Sequence, residues 1–434
     1  MRCTPHENAH PVEETSTMPI LSRRNILAAS AAGGSLVATA AAHAAGVFGN
    51  PDSPAEGMIN TAPGSFTDPG PQNSTMASNL PSFENPPPTD VGGMPVFWSS
   101  FNIAPKRVQA GGWARQVNTG AFPISTTIAG VNMRLNAGGI RELHWHQAAE
   151  WAVMVYGKAR ITTLDGEGRP YVNDVKAGDL WYFPPGLPHS LQGLGPDGAE
   201  FVLAFDNGAA GEYNTLMLTD WIAHTPPEVL AKNFGIPAES FKNIPVEQKW
   251  IFQGELPGPL AQDQAEVMKG TTASPSPFIF RLSDMKPDKS NKSGTVQIAD
   301  STNFTVSKTV AAALVTVKPG GMREMHWHPT ADEWQYYVKG TGRMTVFDAG
   351  PAAVTGDFGP GDIGYVKKNL GHYIENTGTD DLVFLEIFKT DKYEEVSLTN
   401  WLAHTPKAQV AATLNMDPET VARFAKVRQD IVPA

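Results

Sequence analysis

The chain all but lacks cysteine, holding one, Cys3, in 434 residues. Cys3 falls in a leader expected to be removed, so the mature chain is expected to form no disulfide and to use no thiolate as metal ligand or nucleophile. An excess of positive charge is also missing. The 33 Lys and Arg face 44 Asp and Glu, a formal net charge of −11, which argues against nucleic acid or an anionic membrane surface as partner. With 18% charged and 41% hydrophobic residues the composition is neither that of a disordered polyelectrolyte nor that of a membrane bundle. At roughly 150 residues per domain, two or three globular domains are expected.

The start reads as an address. Ser22-Arg23-Arg24-Asn25-Ile26-Leu27-Ala28 leads into a weakly apolar Ala- and Gly-rich run that reaches about Val47 and contains the small-residue pattern Ala42-His43-Ala44. This resembles a twin-arginine export signal. Ala and Gly supply too little transfer free energy for a membrane anchor, so residues 1–45 are read as a signal with an upstream extension, cleaved near Ala44 or Ala45. Met18 is a second possible start. The mature chain is then periplasmic or secreted and carries no membrane anchor. Because this route moves folded cargo, a metal would be loaded before export. Ten prolines between Pro51 and Pro95 then deny backbone donors to helix and sheet, so residues 46–94 are expected to form an extended arm.

Beyond the arm the chain repeats itself. Pro95, Pro105, Gly112, Phe122, Gly138 and Arg141 recur at an offset of 182 as Pro277, Pro287, Gly294, Phe304, Gly320 and Arg323. Leu143-His144-Trp145-His146 answers Met325-His326-Trp327-His328, and the run Leu218 to Pro226 answers Leu398 to Pro406 at offset 180. A period this long means two tandem globular copies, 95–260 and 261–434, joined in the Pro- and Gly-bearing stretch from about Gly254 to Pro277. Short β-branched and aromatic runs, such as Glu200 to Phe205 and Leu382 to Phe388, alternate with Gly, Asp and Pro turns. The fold class is therefore all-β, two antiparallel barrels or jelly rolls. Helical patterns follow each Trp-x-Ala-His-Thr-Pro element at Glu228 to Phe234 and Lys407 to Leu414, with Thr-Pro as start signal and His224 and His404 as capping residues.

Of eleven histidines, three (His6, His10, His43) lie in the leader and the other eight occupy repeat-matched positions. His144 and His146, two apart in a strand, leave the same face, with Trp145 on the other. Glu150 follows, and His189 returns after a turn; the second copy supplies His326, His328, Glu333 and His372. Three imidazoles and one carboxylate with coordination positions left open suit six-coordinate manganese or iron better than the closed tetrahedron usual for zinc.

These residues match the two cupin motifs. Gly138, His144, His146, Glu150 and Gly157 fit the first, as do Gly320, His326, His328, Glu333 and Gly340 with one extra residue before the glutamate. Gly178, Pro184, Gly186 and His189 fit the second; in the other copy Gly361, Lys367, Asn369, His372 and Asn376 fit it with the usual proline and glycine replaced, and Gly193 stands where an asparagine is usual. Together with Gly139 to His146 and Asp300 to Phe304, they make residues 93–434 resemble the bicupin oxalate decarboxylases, built from two cupin (double-stranded β-helix) barrels.

The resemblance implies conversion of oxalate to formate and carbon dioxide, with two manganese ions per chain, a requirement for dioxygen, and assembly as homotrimers or hexamers. It also implies that Arg141 or Arg323 polarises the distal carboxylate of oxalate. Strand parity objects, since Arg141 lies three residues from His144; a bulge or turn must intervene there, and Gly138-Gly139 makes that easy. On the longer loop of the first copy, Gly211-Glu212-Tyr213-Asn214-Thr215 resembles the family's mobile lid, although Gly211 and Tyr213 replace its usual serine and asparagine. Glu212 then takes the place of the glutamate that abstracts the substrate proton and returns one to carbon, which implies an acidic optimum.

The second copy has Lys392 at the position matching Glu212, with Glu394 and Glu395 close by and Glu386 as a candidate local acid. Chemistry is therefore expected at the first site and a structural or electron-transfer role at the second. Two rivals remain: a bicupin oxalate oxidase that releases hydrogen peroxide, and a non-enzymatic bicupin of the storage kind.

Overall fold

The computed structural model describes residues 73–433, so the leader, its alternative start and most of the arm lie outside the described residues. In the first copy the long strand Glu150–Leu164 serves two sheets. Its first part pairs with Leu180–Phe183 and Ala199–Phe205, its second with Pro170–Lys176 and His189–Gly193. Gly157 sits at the crossing with φ +73, where a Cβ would fall 2.0 Å from the carbonyl oxygen of Gly198, so no other residue fits. In the second copy the matching Gly340 (φ +80) separates Glu333–Lys339 from Gly342–Asp348, and the two layers are separate sheets. Each copy is thus the expected antiparallel jelly roll with short helices.

The barrels exchange edges. Trp98–Ser100, which leads into the first barrel, pairs antiparallel with Asp362–Val366 of the second. Ile279–Phe280, which leads into the second, pairs with Leu180–Phe183 of the first. Each lead-in covers an edge that would otherwise expose unpaired backbone groups. The cores fuse accordingly: Phe101, fully buried, meets Trp334 and Tyr336 edge-on with ring centroids 6.4 and 5.9 Å apart.

The described end of the arm is not wholly extended. Asn73 accepts from the Met76 N–H (3.1 Å) to start the helix Ser74–Asn79, and Pro81 opens the short helix Pro81–Glu84. Asp357 then accepts the Ser82 N–H at 2.6 Å, and Asp90 accepts from the N–H and hydroxyl of Thr355 at 2.8 and 2.7 Å, which ties the arm to the second barrel. The join between copies likewise holds a helix, Leu260–Val267.

The helices Pro227–Phe234 and Lys407–Leu414 form as expected, but Thr225 and Thr405 do not cap them. Their hydroxyls donate back to Trp221 O (2.8 Å) and Trp401 O (3.0 Å), while His224 and His404 bond through Nδ1 to Asp220 O and Asn400 O. All four close the preceding helix; Pro at the next first turn needs no donor partner.

Phe97 is buried by the second barrel although it precedes the first. Phe97→Ala is expected to cost about 3–5 kcal/mol of unfolding free energy, measured by chemical denaturation of the whole chain.

Candidate metal centres

The motif strands Gly139–Trp145 and Met322–Trp327 place the histidines by an irregularity in pairing. Their registers with His189–Gly193 and Gly371–Asn376 shift between Arg141 and His144, and between Arg323 and His326. Arg141 and Glu142 are consequently buried side by side. The bulge required by parity lies between the arginine and the histidine, as expected, so both side chains face inward.

Two buried clusters result. The donor atoms of His144, His146, Glu150 and His189 lie within 4.8 Å of one another, as do those of His326, His328, Glu333 and His372. In the first, Glu150 Oε2 stands 3.3 and 3.4 Å from Nε2 of His146 and His189. In the second, Glu333 Oε2 stands 3.3 and 2.7 Å from Nε2 of His328 and His372.

Backbone carbonyls fix the ring orientation. Nδ1 of His144, His189, His326, His328 and His372 bonds to the carbonyls of Glu142, Leu187, Glu324, Glu394 and Leu370. An imidazole whose Nδ1–H is donated presents a lone pair at Nε2. Nε2 of His189, His326, His328 and His372, and Oε2 of Glu333, are buried with no hydrogen-bond partner. A divalent cation with oxygen and nitrogen preference satisfies all of them, so both sites fit a metal.

The remaining glutamate oxygen is held differently in the two copies. Trp181 Nε1 donates to Glu150 Oε1 (3.0 Å), whereas Gln335 Nε2 donates to Glu333 Oε1 (2.7 Å). In the pairing registers Ala152 faces Trp181 and Gln335 faces Gly364, so the large donor and its small neighbour have changed strands. A Cβ on Gly364 would meet Gln335 Oε1 at 2.6 Å.

The arginines differ more. Arg141 is buried, yet its Nη1 reaches only the Met217 sulfur (3.5 Å) and Trp250 O (3.3 Å). Desolvation by burial lowers its pKa; the charge of Glu212 opposes this most strongly. Arg323 instead bonds Glu386 Oε1 (3.0 Å), Asp430 O (3.1 Å), Tyr393 Oη (2.8 Å) and Glu395. Burial alone would lower its pKa, but Glu386 and Tyr393 outweigh that and raise it. Glu386 is thus the buried counter-ion of Arg323. Glu395 comes within 3.9 Å of His326 Nε2 and pairs with Arg428. It places a carboxylate at the second site where comparison of the loops found Lys392.

Glu212 is buried at the start of the 3-10 turn Glu212–Asn214, its carboxylate paired with Arg107 and its N–H donated to Gln116 Oε1 at 2.9 Å. Gly211 suits this lid because a Cβ there would meet Gln116 Oε1 at 2.7 Å. Sequence reasoning missed Arg107, Trp250, Trp181, Tyr393 and Arg428. Four of them lack an identical partner in the other copy, and such mismatches near matched ligands are the signal that could have found them. Ile251 and Ile431 face Arg141 and Arg323 in register, which sets Trp250 against Asp430.

Burial, and then the neighbouring arginine, lower the pKa of His144 and of His326 well below the usual 6.5. Burial raises Glu150, but the charge of His189 and the imidazole hydrogen bonds bring it well below the usual carboxylate range. In each case the unfolded chain takes up protons first as pH falls, so unfolding becomes easier. Metal-stripped protein is expected to lose Tm as pH falls below about 6.5 and again through the carboxylate range. Metal-loaded protein should resist the first step, which thermal scans across pH would show.

A cupin family profile matches residues 99–241 and 280–422. Oxalate decarboxylase OxdC of Bacillus subtilis (strain 168) is 50% identical over 362 residues, 83% of this chain and 93% of the relative. A probable oxalate decarboxylase of Arthroderma benhamiae is 39% identical over 382 residues, 87% of this chain and 93% of the relative. A Bacillus subtilis OxdC structure solved at pH 4.6 superposes with TM-score 0.81 at 49% identity, covering 85% of this chain and 95% of that one. Another, described for its Mn(II) centres, gives TM-score 0.82 at 48% identity, covering 85% of this chain and 97% of that one.

Proposed function

The chain belongs to the cupin family as a two-barrel oxalate decarboxylase, and from that premise we propose that it works with manganese and dioxygen, with turnover at the first site and Glu212 as proton carrier. The unmatched charge of Arg141 carries the assignment to the first site. A buried guanidinium with no carboxylate bound to it needs a counter-ion, and a carboxylate of oxalate supplies one through charge-assisted hydrogen bonds. Arg323 is already neutralised by Glu386 and Glu395 and has no such need. This supports a structural or electron-transfer role for the second site.

Manganese, when held by His144, His146, Glu150 and His189, supplies open coordination for an oxalate oxygen and one-electron chemistry with dioxygen. The chain's own residues do the rest. Arg141 orients and polarises the distal carboxylate. Glu212, in the field of Arg141, takes the proton of hydrogen oxalate and returns it to carbon once carbon dioxide has left. Hydrogen oxalate thus becomes formate and carbon dioxide with atoms and charge balanced and no net use of dioxygen. With Glu212 buried, the lid also keeps water from the reacting carbon.

Homo-oligomers, trimers or hexamers, are supported by exposed apolar groups at matched positions: Leu143, Trp221 and Phe234 in one copy, Met325, Trp401 and Leu414 in the other. Export by the twin-arginine route to the periplasm or medium rests on the leader sequence. Neither a nucleic acid nor a membrane anchor belongs to this reading.

Purified protein incubated with isotopically labelled oxalate at acidic pH should yield formate as main product and peroxide as a minor leak. Stoichiometric peroxide without formate would make it an oxidase. Less than about one-half metal per chain would support the storage reading. Glu212→Ala should cut formate production at least about a hundredfold, and normal formate from that variant would remove the lid glutamate from the reaction.

The paired arginine variants should differ in kind. Arg141→Ala is expected to abolish turnover with stability changed by only about 1 kcal/mol, since it loses two weak hydrogen bonds. Arg323→Ala leaves Glu386 in the interior without its counter-ion and should cost about 3–5 kcal/mol of stability. Denaturation curves beside formate assays separate the two.

A further inference from the structure

We infer that Arg107 is a positioning residue for the lid, holding Glu212 on a platform made by the Trp250 ring. The inference rests on the proposed role of Glu212. Arg107 lies on the short strand Arg107–Gln109, outside both metal-binding motifs. One terminal nitrogen pairs with Glu212 and the other with Gln109, whose Oε1 also accepts the Ile251 N–H at 3.2 Å. The guanidinium lies 4.4 Å above the Trp250 ring, and that of Arg141 lies 5.5 Å from it. Tyr213, the residue after Glu212, meets the same ring edge-on at 5.9 Å. The lid carboxylate, its neighbour and the substrate-facing arginine thus share one indole.

The platform is built to stay in place. Trp250 adopts φ +53, a left-handed conformation unusual for a large side chain. Glu142 enforces it: its Oε2 accepts the N–H groups of Lys249 (2.7 Å) and Trp250 (3.0 Å), and its own N–H donates to Trp250 O at 2.9 Å. Glu142 adjoins Arg141 on the motif strand, so the ring is fixed to the frame that carries the histidines. The second copy has no equivalent. By strand register Lys289 stands in place of Arg107 and Asp430 in place of Trp250, and neither can stack as a planar pair. The latch therefore belongs to the site assigned to turnover.

A latch of this kind acts on the fate of the substrate carbon. With Glu212 held in the field of Arg141 the carbon is protonated and formate results; with the lid adrift, dioxygen takes both electrons of the cleaved C–C bond and two protons, so hydrogen oxalate, dioxygen and a solvent proton end as two carbon dioxides and hydrogen peroxide. Arg107→Ala and Arg107→Lys in the full, manganese-loaded chain test this. The readouts are formate and peroxide from labelled oxalate, bound manganese, and the rate of chymotrypsin cleavage after Tyr213. Arg107→Ala should lower kcat for formate at least about tenfold and KM for oxalate by less, raise peroxide per formate, and speed cleavage, with manganese unchanged. Arg107→Lys should recover part of the formate yield. Formate and peroxide falling in parallel, or an unchanged product ratio and cleavage rate, would overturn the latch. Wild type without formate, joined to faster cleavage of Arg107→Ala, would overturn the decarboxylation reading and leave the latch standing.

Discussion

An imidazole that gives its Nδ1–H to a backbone carbonyl has one lone pair left, and five of the six motif histidines are tied in this way. Much of both barrels follows from that. Carbonyls of the motif strands and of the turns before His189 and His372 must stop short of the ladder in order to accept. The strands must carry a bulge so that arginine and histidine point the same way. The glutamate must be held through its other oxygen, by Trp181 in one barrel and Gln335 in the other. What remains inside is a ring of acceptors without a donor, an arrangement that is costly in an apolar barrel until a cation enters it.

Duplication kept this ring and released everything around it. The two barrels share strand order, ligands and even the exchange of lead-in strands, yet their arginines have opposite surroundings. Around Arg323 have gathered Glu386, Glu395 and Tyr393, with Asp430 as a further acceptor, so the charge is matched inside the protein. Around Arg141 stand a thioether, one carbonyl and the face of Trp250. A single position just before a short strand, tryptophan in one copy and aspartate in the other, accounts for much of the contrast. An aromatic face attracts a guanidinium without neutralising it, whereas carboxylates close it to any further anion.

The repeat and the histidine census were legible because both depend on residue identity at fixed spacing, which a sequence displays directly. All eight ligands converge where those spacings placed them. Glu212 was found through its family position, and the structure gives it a buried carboxylate with a partner. Other features depend on pairs distant in sequence. Arg107 meets Glu212 across a separation of 105 residues, and Phe97 O accepts from the Tyr365 N–H through a backbone bond that leaves no mark on side-chain pattern. His224 does cap a helix, the preceding one, but the reading of Thr225 as the start of the next failed for a local reason. The sequence Ala-His-Thr-Pro both ends one helix and begins another, and side-chain acceptors near a proline first turn have fewer donors to satisfy, so they turned to the helix behind. The bulge was legible too, because the odd spacing of Arg141 and His144 cannot put both side chains on one face of a regular strand.

On the proposed reading, in which one site performs the reaction, the difference between the two arginines also bears on why the chain would keep two. A site open to substrate must hold a charge that no carboxylate of the resting protein is bonded to, and such a charge adds little to the stability of the barrel containing it. In this chain the barrel with the unsatisfied arginine is braced by the other: Phe278 and Ile279 from the second lead-in enter the first barrel's core and edge, and Phe101 joins both. The second barrel has the charge of its arginine matched internally. The geometry that frees Arg141 for a substrate carboxylate and the geometry that neutralises Arg323 are on this view two parts of one arrangement, with the unpaired charge placed at one site and its barrel braced by the duplicate.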